Sequence, residues 1–146
     1  MRDVSRWPAE RLDRSSYVLG VDLPIFYGDL DPNNHVNNVA VGRFFEQGRI
    51  EAHRRLEIGR KIREAGLNAY VVNVNTSYLA QIWWGQPLHV STRIGRVGNS
   101  SFTEEQAAWQ GDVCVALCET TAAVVKDGVP APLPDSVRDA LLALRP

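Results

Sequence analysis

Between Ala69 and Lys126 the chain reads as a near-continuous succession of β-strands, and one long helical pattern precedes it, an order that few folds accommodate. Ala69 to Leu79 is rich in Val, Tyr and Thr; Leu88 to Val97 alternates around Val90, Thr92 and Ile94; Ser101 to Trp109 and Val113 to Lys126 follow. The turns between them, Trp83 to Pro87, Gly98-Asn99 and Gln110-Gly111-Asp112, are short and hairpin-like, so the strands should pair antiparallel. An edge-type strand, Val18 to Tyr27, interrupted by Gly20 and Pro24, comes before the helix. From Asn38 to Leu56, apolar or small residues at Val41, Phe44, Phe45, Gly48, Ala52 and Leu56 mark one helical face, with Asn37 or Asn38 as cap and Gly59 as stop. This predicts an α+β domain with a five-stranded antiparallel sheet against one long helix. Ala40, Gly42, Gly48 and Ala52 suit a curved sheet approaching the helix backbone closely; a helix on a flat sheet is the competing layout.

With 146 residues and 45% hydrophobic side chains, the chain can bury one core without a disulfide or metal staple. It divides into a tail over 1–17, a domain over 18–134 and a short C-terminal helix over 135–146 that Asp135 and Ser136 can start. Arg60 to Glu64 reads as a charged link or one more helical turn. A net charge of -1 gives no reason to expect a nucleic-acid partner, and the basic residues Arg54, Arg55, Arg60, Lys61 and Arg63 are interleaved with Glu57 and Glu64 as on a solvated helix end. No apolar run approaches the ~20 residues that cross a bilayer, and the first residues lack a signal-peptide core, so the expected location is cytoplasmic and off the membrane. Cys114 and Cys118 stand ~13 Å apart along one strand, too far to bridge, and read as small buried hydrophobes. His35, His53 and His89 lack paired metal-ligand spacing, so neither a metal nor a cofactor is expected.

Phosphate loops, dinucleotide glycine fingerprints and nucleophile elbows are absent. The chemistry concentrates in Tyr27-Gly28-Asp29-Leu30-Asp31-Pro32-Asn33-Asn34-His35-Val36-Asn37-Asn38, a polar loop feeding the start of the helix. Unpaired N–H groups and the positive dipole end at a helix start can hold an oxyanion, with a loop carboxylate acting on the same carbonyl. Asp and Asn before a helix are equally ordinary capping and turn residues.

That loop, with its continuation Arg43-Phe44-Phe45-Glu46-Gln47-Gly48-Arg49, resembles the hotdog-fold acyl-CoA thioesterases of the 4-hydroxybenzoyl-CoA thioesterase type. Tyr78-Leu79, Trp84-Gly85-Gln86-Pro87-Leu88, Gly98-Asn99-Ser100-Ser101 and Lys126-Asp127-Gly128 fall in the family's order over roughly residues 18 to 134. The resemblance implies a hotdog fold, thioester hydrolysis and assembly into a homodimer or homotetramer with sites lined by two subunits. It makes Asp31 the carboxylate that attacks the thioester or activates water, Asp29 its less critical neighbour, and the Asn38 backbone N–H the carbonyl's donor. Glu46 occupies the place of the helix-borne acid in a related branch, an ion pair with Arg43 or Arg49 being the alternative. His35 and Asn37 are substrate-binding candidates that also serve as loop struts. Val41, Phe45 and Tyr78 are candidates for the acyl pocket, with Trp83 beside them, and are equally natural core. By analogy Arg93, Arg96, Ser100 and Ser101 would bind coenzyme A. The expected partner is an acyl-CoA; an acyl-carrier-protein thioester, or a non-catalytic acyl-CoA-binding role, are the alternatives. Asn34 stands where the family has a glycine, and asparagine can adopt the left-handed conformation.

Overall fold

The computed structural model describes residues 3–146. Its antiparallel sheet has the spatial order β1 (Leu19–Leu23), β3 (Leu88–Val97), β4 (Ser101–Gln110), β5 (Val113–Lys126) and β2 (Asn68–Tyr78), with a two-residue β6 (Val129–Pro130) on the end of β5. The expected strands are all present, β6 being a short addition. β1 is shorter than Val18 to Tyr27, because Pro24 has no N–H to give the ladder and Tyr27–Asp29 turns into a single 3-10 turn.

Helix α1 (Asn38–Arg55) crosses the concave face of the sheet over β1, β3 and β4. Val41, Phe44 and Phe45 pack on Leu88, Val90, Ala108 and Ala116. Ala52 begins a second cluster with Ile94, Phe102 and the apolar face of α3 (Asp135–Leu142), where Val137 and Leu141 are fully buried. The curved layout is the one observed: a Cβ on Gly48 would lie 2.6 Å from Val90 Cγ1 and 2.8 Å from Gln106 Nε2. Gly59 does not stop the helix. α1 ends at Arg55 because Glu57 takes a left-handed φ of 54°, and Gly59 lies inside α2 (Ile58–Glu64). The charges around this break form exposed pairs, Glu51 with Arg54 and Arg55, and Arg60 with Glu57 and Glu64.

The N-terminal residues do more than their polar composition suggests. Val4, Trp7, Leu12 and Tyr17 cover Leu79, Ala107, Trp109 and Leu117 on the convex face. Arg11, only 6% exposed, donates to the Cys118 carbonyl at 3.2 Å and lies 3.6 Å from Glu105, which also holds Arg93 at 2.7 Å. Cys114 packs against this convex cluster and Cys118 against the concave one, so the two thiols face opposite sides of the sheet. No helix among the described residues is long and apolar enough to cross a membrane.

Candidate active site

The loop between β1 and α1 is held by its own carboxylates. Asp29, buried, accepts the Phe26 N–H at 2.9 Å on one oxygen and pairs with Arg43 on the other, while its carbonyl accepts the Asn37 N–H at 2.9 Å. It therefore ties the loop to the first turns of α1 as a strut. Asp31 Oδ1 accepts the N–H groups of Asn33 (2.8 Å) and His35 (3.1 Å), and the Asp31 N–H donates to the His35 carbonyl at 2.8 Å. Asn34 closes this turn at φ 61°, a conformation that explains asparagine where the family pattern has glycine. Asp31 is left half-buried, and its Oδ2 has no donor among the described residues.

A second set of contacts pins the loop to the segment before β3. The Val36 N–H donates to the Ile82 carbonyl at 2.9 Å. The His35 ring meets Trp83 edge-on with centroids 4.4 Å apart, and Tyr27 meets Trp84 in the same way at 5.6 Å. His35 and Asn37 thus both serve as ties. Asn37 caps α1, its Oδ1 accepting the Ala40 N–H at 2.8 Å while its carbonyl accepts the Val41 N–H at 3.1 Å. The N–H groups of Asn38 and Val39 lie between these and have no acceptor among the described residues. Val39 is 77% exposed, so two donors open outward at the positive end of an eighteen-residue helix.

The other candidates separate. Glu46 is exposed and makes neither proposed ion pair: Arg43 is taken by Asp29, and Arg49 donates to Gln106 Oε1 at 3.3 Å and Thr120 Oγ1 at 3.1 Å. With Gly42, Arg49 and Phe45 it lines a groove between α1 and β2. Val41 and Phe45 are both buried among core side chains, and of the two Phe45 lines the groove. Tyr78 is half-buried and lines a separate cleft with Trp83 and Trp84. Arg93 corrects the coenzyme A assignment, because it is buried on the convex face, stacked 5.2 Å over Tyr17 and bound to Glu105 and Ser16. Arg96 is exposed and donates to Ser101 Oγ at 3.1 Å, with Ser100 beside them, in the hairpin at the far end of β3. From Leu88, packed near the start of α1, to Arg96 is ~26 Å of strand, so within one protomer this hairpin does not reach Asp31.

Two buried polar contacts lie outside what the sequence pattern singles out: Gln106 with Arg49, and Glu104 with His53 at 2.6 Å. The alternation of β4 carries the signal, since Phe102, Glu104 and Gln106 share the inward face and two of the three are polar.

A family model described as the thioesterase-like superfamily matches residues 27–141. Among solved structures, a thioesterase from Thermus thermophilus complexed with coenzyme A and Zn is 28% identical, with 90% of this chain and 98% of that chain covered at a TM-score of 0.76. A protein from Pseudomonas aeruginosa strain PAO1 is 26% identical over 90% of this chain and 94% of its own, at 0.79. A 1,4-dihydroxy-2-naphthoyl-CoA thioesterase from Synechocystis, at 16% identity over 86% of this chain and 96% of its own, shares the fold with a TM-score of 0.77. No curated protein matches the chain by sequence. The curled antiparallel sheet around α1 is the hotdog fold, and the match takes in the Asp31 loop, the whole of α1 and every strand after it: the chain belongs to the thioesterase-like superfamily.

Proposed function

We propose that the chain hydrolyses acyl-CoA thioesters at the junction of the Asp31 loop and α1. The observation that carries this reading is the pair of outward N–H groups of Asn38 and Val39 at the positive end of α1, following a loop whose Asp31 keeps Oδ2 without a donor among the described residues. The thioester oxygen accepts from the two N–H groups, which stabilise the charge it gains as the carbonyl carbon becomes tetrahedral. Asp31 takes a proton from water as the water oxygen bonds to that carbon; the C–S bond then breaks and the thiolate leaves, accepting a proton to give free coenzyme A. Thiolate is a good leaving group, so Asp31 and the helix end suffice. The coenzyme A bound to the Thermus thermophilus relative supports the carrier.

The same reading includes a dimer. Among the described residues β2 pairs only with β5, and it presents Tyr70, Val71, Val72 and Val74, each more than half exposed. Joining two protomers along β2 covers this strand, sets the groove under α1 between subunits, and lets the Arg96 to Ser101 hairpin serve a partner's site.

Assay of the purified chain against acyl- and aroyl-CoA esters, beside Asp31→Asn and Glu46→Ala, tests the proposal. Asp31→Asn should lower kcat at least ~100-fold, the range of a lost general base. Unchanged turnover in that variant removes Asp31 from the mechanism.

A further inference from the structure

Gly42, Glu46, Arg49 and His53 follow the spacing of one helix face and floor two adjoining hollows between α1 and β2, which share Glu46, Arg49 and Val71. The first, about 370 Å³, starts at Gly42, one turn beyond the free N–H groups; the second, about 380 Å³, reaches His53 and Glu104. Asn38 and His53 are separated by ~22 Å of helix, the reach of a long acyl chain. Ile50, Ile62, Leu67, Val71 and Phe102 give the second hollow apolar wall, beside the charged Glu46, Arg49 and Arg63.

Its far end holds a part-buried polar pair. Glu104 is 1% exposed, and His53 Nε2 lies 2.6 Å from its Oε1. Neither Glu104 Oε2 nor His53 Nδ1 has a partner among the described residues. Glu104 lines the hollow and its Oε2 is not sealed from it, so a donor arriving along the groove can reach that oxygen. A hydroxyl supplies it, its single O–H donating to Oε2 while His53, bonded to Oε1, holds the carboxylate in place. The lining carries both signs of charge, Glu46 and Glu104 beside Arg49 and Arg63, a balance that suits an uncharged polar group such as a hydroxyl.

We propose that the groove takes a long-chain acyl group with a hydroxyl at its far end, and that His53 and Glu104 are the residues that read this hydroxyl. The placement of the carbonyl end rests on the thioesterase reading above. Full-length protein is assayed with ω-hydroxypalmitoyl-CoA and palmitoyl-CoA, and binding of ω-hydroxypalmitate and palmitate is measured by calorimetry. The hydroxylated ester should be favoured about 10- to 100-fold in kcat/KM, the cost of leaving a buried polar group unpaired. His53→Phe and Glu104→Leu should each abolish that preference while still turning over palmitoyl-CoA. If Glu104→Leu fails to fold, His53→Phe carries the test, since the His53 side chain is 31% exposed. Equal rates for the two esters, or a preference that survives in His53→Phe, overturn the inference. Tighter binding of the hydroxy acid with no turnover of any thioester upholds the groove and removes the thioesterase reading. Turnover of short esters alone, with no preference between the two acids in binding, overturns the inference and leaves that reading standing.

Discussion

Gly42 and Gly48 lie six residues apart on α1 and should respond to alanine in opposite directions. In an isolated helix either change stabilises by about 1 kcal/mol, because alanine restricts the unfolded backbone that glycine leaves free. At Gly42 nothing among the described residues lies within 4 Å of an added Cβ, so that gain should survive and raise Tm by about 3 °C for a chain of this size. At Gly48 the Cβ meets Val90 Cγ1 at 2.6 Å and Gln106 Nε2 at 2.8 Å, and both neighbours are buried. Gln106 is wholly buried and donates to the Phe45 carbonyl and Thr92 Oγ1, both at 3.0 Å. Overpacking costs about 1–3 kcal/mol, and displacing the amide forfeits about 1 kcal/mol per bond. The net loss is about 1–4 kcal/mol, a fall in Tm of roughly 3–12 °C. Thermal unfolding followed by circular dichroism at one protein concentration reads both. A Gly48→Ala protein as stable as Gly42→Ala would refute the claim that the sheet curls tightly onto this turn of the helix.

Asp31→Asn keeps an Oδ1 that accepts the N–H groups of Asn33 and His35, so it should unfold in urea within about 1 kcal/mol of the parent, whereas Asp31→Ala loses two backbone bonds and about 1–3 kcal/mol. Equal midpoints for the two variants would show that the turn does not depend on that side chain. Glu105→Ala should cost more than Arg11→Ala, about 3–5 kcal/mol by denaturant titration, because it removes the counter-charge of both Arg11 and Arg93 where Arg11→Ala leaves Glu105 paired with Arg93. Burial pushes the Cys114 thiol up from its ordinary value near 9 to about 11. The folded chain then keeps a proton that the unfolded chain has lost, so this contribution to stability is complete below pH 9 and disappears as pH rises to about 11. Cys114→Ala should flatten that alkaline slope in pH-dependent unfolding. Asn37→Ala should cost about 1 kcal/mol in the same urea assay through loss of the α1 cap.

Local pattern carries most of the architecture. β3 and β5 begin and end where alternation and turn residues place them, and α1 starts beside its capping asparagine. What pattern does not show is which partner each polar residue takes across the fold. Arg93 reads as a surface arginine on an alternating strand, yet Tyr17 and Glu105, distant in sequence, enclose it. The first 17 residues look like solvent-facing tail because the sheet face that Trp7 and Leu12 cover is assembled from β4 and β5. Glu57 carries no stop signal, since a left-handed glutamate is a strained choice that tertiary packing of Ile58 and Leu56 enforces. In the site, the loop and helix start are legible from residue types at fixed spacing. The groove is not, because its floor comes from α1 and its wall from β2, which only the fold brings together.

The exposed strand β2 also sets a problem of timing. Its partner β5 is made much later, with Tyr78 facing Ala116 and Asn68 facing Val125, so β3 and β4 must both emerge before β2 gains its first neighbour. Throughout that interval both sides of an eleven-residue strand are bare, and from Asn68 to Tyr78 it contains no charged residue and no proline to discourage pairing with another chain. Newly made chains are therefore most prone to mispair before β5 leaves the ribosome, and the yield of native protein should depend on how quickly the last third of the sequence is synthesised.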